Sequence, residues 1–504
     1  MKTDHRVPNL VPILLIVGGL LLAVAVGFLV GSSQWSDIYI GVWALMGVVS
    51  VLWLGSKYWL LIPFSLSFSA PVVPLGSRAV ELPELVIMVC VVLFLARLAL
   101  KAQKLHVMRL EHVPVLLYTA WAALIFAHNR VGFAVFGASS GGARFYLKIF
   151  LAVAAFLVVA NQKITNRDCK WILIVTVIGT ALDFGKTLLS YYMFGGSAMF
   201  VDPLENYTWQ QELSAVPLAL VLILFSRYRA AEIFNVAKIW RPLLLLICIP
   251  IILLSGKRSA VFCLFLYPVT ATFCRKEFRY VFLCVASAVM ASLILIAGQG
   301  TLFHLPLTAQ RAVSWLPGRW DSELAYIEGG QDDFRARLRE LAVRKIQKNP
   351  WVGSGYDVNF QATQSFTTAP NKFDAYITQM AIGSSWHNRW LGYAADFGIP
   401  ASILLAVIYI FVISRSWRTI GRLPPGSLLQ TMVMYILIMT VTDAVFSHVS
   451  GHSANDASTR WWMYGVLVSI AASLKKERSS LQPAAPRFHR TVIESGPEPV
   501  HLPG

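Results

Sequence analysis

The sequence predicts an all-α polytopic membrane protein of about 12–14 transmembrane helices, with one long outer loop that contains an amphipathic helix. Three observations carry this expectation. Of 504 residues, 56% are hydrophobic and only 14% charged, far less charge than a water-exposed surface of that size needs. The apolar residues fall in runs long enough to cross ~30 Å of hydrocarbon. The Lys and Arg residues between those runs concentrate on alternate connections.

The first run, Leu10 to Val30, follows Lys2 and Arg6 and is too long for a signal-peptide core, so it reads as a retained span. Further spans are expected at roughly 38–55, 58–75, 83–100, 113–128, 143–160, 170–194 and 212–226. The remainder are expected at 241–256, 259–274, 280–297, 388–413, 428–447 and 460–474, and the stretch 241–274 also fits one bent span. With the N-terminus inside, the inner connections include KAQKLHVMRLEH, NQKITNRDCK, RYRAAEIFNVAKIWR, RKEFR and SRSWRTIGRLPPGS, all basic. The outer ones include SSQWSD, SAMFVDPLENYTWQQE and HVSGHSANDAST, which carry almost no Lys or Arg. This is the positive-inside pattern, and it predicts both termini on the cytoplasmic side. The chain thus divides into an N-terminal membrane bundle (1–297), an outer loop (298–386), C-terminal membrane helices (387–474) and a Pro- and Ser-rich tail (475–504) expected to be disordered.

The net charge of +17 is absorbed by those inner loops, so nucleic acid is not an expected partner, whereas membrane lipid is. Six cysteines show neither paired spacing nor a CxxC, which indicates neither a disulfide framework nor a metal site; they read as small packing residues.

The outer loop breaks the charge rule, with Arg311, Arg319, Arg335, Arg337, Arg339, Arg344, Lys345, Lys348 and Lys372. Long loops cross despite positive charge, and cations gathered there invite an anionic ligand. Within the loop, QDDFRARLRELAVRKIQKNPWVGSGY reads as a helix capped by Asp332 or Asp333 and ended before Pro350. Phe334, Leu338 and Leu341 form its apolar face, flanked by arginines. Two readings fit: an amphipathic helix lying on lipid headgroups, or a phosphate-binding element built on guanidinium forks. A second outer cationic spot is SGKRS, with Lys257 and Arg258.

In SSWHNRW, His387 is the candidate general base, since a neutral imidazole accepts a proton near physiological pH, and Asn388 could orient it or a substrate. His304, His448 and His452 are also outer-face histidines, and composition does not choose among them. A rival class, a transporter or flippase, draws on ionisable residues inside predicted spans: Asp183, Lys186, Asp396 and Asp443. Asp183 and Lys186 are spaced to pair with each other.

The segments NPWVGSGY and HNRWLGYAADFGIPASILL resemble the hallmark of the bacterial O-antigen ligase / O-antigen polymerase superfamily. That hallmark is an amphipathic helix ending in Pro-x-x-Gly-x-Gly, a variable loop, His-Asn, and Gly-Ile/Leu-Pro in the next span. A family arginine before the proline falls on Arg335, and an upstream Ser-Arg between consecutive spans falls on Arg258. Where the family usually has tryptophan the chain has Arg339, which leaves Arg335, Arg337 and Arg339 open as the loop arginine. The strong part of the match runs from about Ser255 to Leu405.

The resemblance implies a metal-independent, inverting glycosyltransferase without cofactors, in the bacterial inner membrane with its active site on the periplasmic face. The implied donor is a polyprenyl-pyrophosphate-linked glycan, and the acceptor another glycan or lipid A-core. Other polysaccharide-assembly proteins are implied as partners. His387 would be catalytic; Arg258, Lys257, Arg335, Arg337, Arg339, Arg344, Arg319 and Asn388 would bind pyrophosphate or glycan. Polymerase is the preferred expectation and ligase the alternative.

Overall fold

The computed structural model describes residues 47–68, 71–75, 78–103, 110–129, 143–193, 212–356, 386–446 and 460–481, with residues 45, 105, 377, 380 and 381. The expected span at 10–31, most of the outer connections, His448, His452, Lys372 and the tail beyond Leu481 lie outside the described residues.

Helix dominates. Among the described residues, 8 helices are long and apolar enough to cross a membrane, accompanied by three shorter apolar ones. The chain is an all-α polytopic membrane protein, with one small hairpin as the exception among the described residues. The reason lies in the solvent: hydrocarbon offers no hydrogen-bond partner, so each span must satisfy its backbone internally.

Helix α1 (Gly47–Ser67) is interrupted where the sequence separates two spans, with Gly55 at φ 53° and Lys57 outside helical geometry. Lys57 Nζ bonds Asp168 Oδ2 at 2.7 Å. The expected helix over 58–75 stops at Ser67, and Pro71–Leu75 (β1) pairs antiparallel with Arg78–Glu81 (β2) instead. Pro71 and Pro74 explain the difference, since neither supplies the N–H a helix interior requires.

The hairpin enters α2 (Leu82–Ala99), followed by α3 (Val113–Asn129), α4 (Ala143–Ala160), α5 (Asn166–Met193), α6 (Ala215–Arg227), α7 (Trp240–Leu254), α8 (Arg258–Cys274) and α9 (Phe278–Gly298). The loop contributes α10 (Leu307–Val313) and α11 (Ser322–Lys348). The C-terminal part comprises α12 (Arg389–Phe397), α13 (Ile399–Ile420), α14 (Leu428–Phe446) and α15 (Trp461–Leu481). The expected span 388–413 is therefore two helices. Gly398, at φ 81° and ψ 165°, breaks it, and α12 with 9 residues is too short to cross hydrocarbon at ~1.5 Å per residue. The stretch 241–274 is likewise two helices, α7 and α8, separated at Ser255–Lys257 with Gly256 at φ 67°.

In the centre of the bundle α15 packs along α4, α13 along α14 and α3, and α14 against α6. Trp59, Phe156, Tyr393 and Trp461 are among the fully buried side chains. Helix α9 lies at the edge against α8, with Phe282 73% and Met290 58% exposed, a surface suited to lipid. Charge pairs lie inside the bundle: Arg144 Nε and Nη2 donate to the two carboxylate oxygens of Glu84 at 3.1 and 3.0 Å, and Lys148 reaches Glu81 at 3.1 Å. Fork-to-carboxylate geometry offsets much of the desolvation such a pair costs. All six cysteines are unpaired thiols, four of them buried.

Candidate active site

Helix α11 ends at Lys348, because the residue before Pro350 is pushed out of helical geometry. The chain then folds back onto the break between α12 and α13. Ser354 N donates to Ala395 O at 2.9 Å, Gly355 N to Asp396 O at 2.7 Å, and Ile399 N to Pro350 O at 2.8 Å. These are backbone-to-backbone contacts, and they demand glycine. A Cβ on Gly398 would lie 2.1 Å from Trp351 O, and one on Gly353 2.5 Å from the Asp396 carbonyl carbon. Gly353, Gly355 and Gly398 all have positive φ, at 71°, 65° and 81°. The Pro-x-x-Gly-x-Gly turn and the Gly-Ile-Pro step are thus two halves of one contact. Beneath it, Tyr356 meets the rings of Tyr146 and Phe397 with centroids 5.2 and 5.1 Å away, and Trp121 Nε1 donates to Phe397 O at 2.8 Å.

His387 stands at the other end of α12. Its φ of 51° is in the left-handed region, uncommon for a residue with a side chain and a form of strain that clusters at functional sites. Asn388 caps α12, its Oδ1 accepting from Leu391 N at 3.1 Å. Trp386 is buried, and its indole N–H points at both oxygens of Asp396, 3.2 and 3.3 Å away. The His387 ring meets Phe334 of α11 edge to face, centroids 5.7 Å apart.

Helix α11 differs from expectation at its start. It begins at Ser322, with Asp321 at the N-cap position, and Asp332 and Asp333 lie inside it. The earlier start follows from an anchor at Asp321: its N–H donates to Gln310 Oε1 at 3.1 Å, while its carboxylate accepts from Gln310 Nε2 at 2.8 Å and lies 3.2 Å from His304 Nε2. The apolar face is as the spacing predicts. Leu338 and Ala342 are fully buried in a cluster with Trp386 and Ala395, with Phe334 and Leu341 packed beside them. That face is spent on protein, so a helix lying with it on headgroups does not describe α11.

The candidate cations are distributed unevenly. Arg335 is half-buried, on the side of Phe334, 3.6 Å from Asp332. Arg337 and Arg339 are exposed, and Arg344, also exposed, lies 2.8 Å from Glu340. Arg319 is exposed beside Gly300, just past the end of α9. Lys257 and Arg258 open α8, and Arg258 Nη2 donates to Ser314 Oγ at 2.8 Å. Gly256 allows this approach, since a Cβ there would lie 3.2 Å from Thr308 O of α10. As α10 packs on α11, Arg258 and His387 abut the same loop substructure, Arg258 through Ser314 and His387 through Phe334.

Sequence reasoning missed one group. Asp443, 5% exposed, accepts from Arg389 at 2.7 Å and from the Tyr409 hydroxyl at 2.6 Å, while Arg460 binds its other oxygen. The isolated carboxylate within a span was the readable signal; its partners on α12, α13 and before α15 were not. The other ionisable residues offered for transport are also satisfied internally, Asp183 by Lys186 at 2.7 Å and Asp396 by Trp386. Among the described residues no three His, Cys, Asp or Glu side chains converge as metal ligands.

Among curated proteins none matches the chain. Residues 243–406, from α7 to the first turns of α13, match the family model described as O-antigen ligase. That stretch holds Arg258, the arginine helix, the glycine turn and His387, so the part of the chain that carries the candidate site is similar to the O-antigen ligase family, which supports the resemblance read from the sequence.

Proposed function

We propose that this protein transfers an oligosaccharide from a polyprenyl pyrophosphate to an acceptor sugar hydroxyl at the periplasmic face of the bacterial inner membrane, in surface-polysaccharide assembly. The observation that carries this is the seating of His387, in strained backbone, against the arginine-bearing helix α11. In the reaction, an imidazole nitrogen of His387 takes the proton of the acceptor hydroxyl as its oxygen attacks the anomeric carbon. The bond from that carbon to pyrophosphate breaks, the electron pair leaves with the phosphate oxygen, and direct displacement inverts the centre. Arg258, at the N-terminus of α8, and Lys257 stabilise the charge growing on the leaving group, and Arg335 faces it from α11. These cations supply what a divalent metal does in other glycosyl transfers. Asn388 acts by fixing the turn that carries His387.

The acceptor we favour is a second lipid-linked glycan, making the protein a polymerase. Arg337 and Arg344, both exposed and seven residues apart on one face of α11, support this as a cationic surface in addition to Arg258. The description of the matched family favours the other reading, ligation of the finished chain to lipid A-core or a protein. The test is transfer from a purified lipid-linked donor by wild type and His387→Ala. Loss of ~100-fold or more with a monodisperse, inserted protein is expected, and retention of a tenth of the activity removes His387 as base. Gel analysis of carrier-linked glycans in a deletion strain separates the readings: single repeats mark a polymerase, long chains a ligase.

A further inference from the structure

The basic connections KAQKLHVMRLEH and SRSWRTIGRLPPGS, which loop charge assigns to the cytoplasmic side, meet in the structure. The turn Leu110–His112 leads into α3, α13 packs along α3, and Arg415 Nη2 donates to Glu111 Oε1 at 2.9 Å. Arg415 lies roughly 24 Å along α13 from its start at Ile399, so this junction is at the other end of the helix from the Gly398 break. It encloses a cavity of about 220 Å³, lined by Leu110, Glu111, Phe411, Ser414, Arg415 and Arg418. The lining holds two arginines against one carboxylate, and the two connections carry no other acidic residue while adding Lys101, Lys104, Arg109 and Arg422. Glu111 engages Arg415 through Nη2; Arg415 Nε is buried, with no hydrogen-bond partner among the described residues. A buried N–H left unsatisfied is costly, and an oxygen entering the cavity removes that cost.

The order of residues along α13 selects the kind of anion. Phe411 lies one turn nearer the bundle centre than Ser414 and Arg415, while Arg418 lies one turn nearer the helix end, where it is exposed. Leu110, at the same cavity, is 86% exposed, and Trp417, next to Arg418 in sequence, is 40% exposed, as suits a membrane interface. Apolar surface toward the hydrocarbon and guanidinium groups toward water match a phospholipid, whose acyl chains lead up to a phosphate. The arginine forks fit phosphate oxygens. A free phosphate ion gains nothing from Phe411 or Leu110.

We propose that this cavity binds the phosphodiester headgroup of an anionic phospholipid of the cytoplasmic leaflet, with Arg415 and Arg418 on the phosphate and Glu111 positioning Arg415. The experiment uses the full chain in detergent micelles, and native mass spectrometry measures its affinity for phosphatidylglycerol, zwitterionic phosphatidylcholine and inorganic phosphate. Wild type is expected to bind phosphatidylglycerol about tenfold more tightly than phosphatidylcholine, and Arg415→Gln with Arg418→Gln to lose that preference. Arg229→Gln, exposed on another inner connection, should keep it. A double variant that keeps the preference to within about threefold, or a wild type that does not distinguish the two lipids, overturns the proposal. Displacement of the lipid by inorganic phosphate marks a site for a soluble anion and overturns the lipid assignment. Should the double variant unfold because Glu111 is left unpaired, adding Glu111→Gln removes the orphaned charge, and the same criteria apply. Arg418→Gln alone alters only an exposed side chain and keeps the fold; it should weaken phosphatidylglycerol binding about threefold, and unchanged binding overturns the site.

Discussion

Replacing Gly398 by alanine tests whether the backbone contact between the glycine turn and the α12–α13 break holds the site together. The added Cβ would sit 2.1 Å from Trp351 O, well inside any van der Waals contact, so the turn has to retreat by about 1 Å. Alanine at φ 81° and ψ 165° also enters a region essentially reserved for glycine, at about 1–3 kcal/mol. The retreat strips the bond from Ile399 N to Pro350 O, worth about 1 kcal/mol net. Together these amount to roughly 2–4 kcal/mol, enough to displace the turn without unfolding the bundle. A displacement near 1 Å costs on the order of 100-fold in rate for an aligned reaction. Gly421→Ala is the control, since nothing lies within 4 Å of its Cβ position. Transfer is assayed alongside thermal unfolding read with a thiol-reactive dye, for which the buried Cys90, Cys169, Cys248 and Cys263 are natural reporters. A Gly398→Ala protein with more than half of wild-type transfer refutes the reasoning.

Arg258→Lys should lower transfer at least tenfold despite its retained charge, because the fork bonded to Ser314 is lost; Arg229→Lys, exposed and 3.8 Å from Glu277, should match wild type, and equal behaviour of the two would reduce Arg258 to a structural cation. Glu84→Gln leaves Arg144 without its bidentate partner inside the bundle and should destabilise by about 3 kcal/mol, seen as a lower unfolding midpoint. An unchanged midpoint means that Glu81 or water replaces it. Asp333→Cys and Asn235→Cys, both exposed, should react with an impermeant thiol reagent from opposite sides in a background lacking the native cysteines. Labelling from one side contradicts the topology on which the periplasmic assignment stands.

Much of this protein is determined locally. Spans, their approximate ends and the alternation of basic loops follow from hydropathy and charge, since a bilayer reads composition over windows of about twenty residues. The break at Gly55, the end of α11 before Pro350, and the apolar face through Phe334, Leu338 and Leu341 were legible for the same reason: each depends on neighbours in sequence. Prolines at 71 and 74 could have warned of the hairpin, but their apolar neighbours hid it in a hydropathy count. What the tertiary structure alone decided is pairing across distance. Gly398 divides a continuous apolar run because Trp351, far back in the chain, occupies the space of its Cβ. Asp321 starts α11 because Gln310 meets it from α10. Asp443 is satisfied by arginines at 389 and 460, on either side of it in sequence and at no helical spacing from it. A lone carboxylate in a hydrophobic segment announces that a partner exists, since burial without one is too costly; only the packing of the helices names the partner.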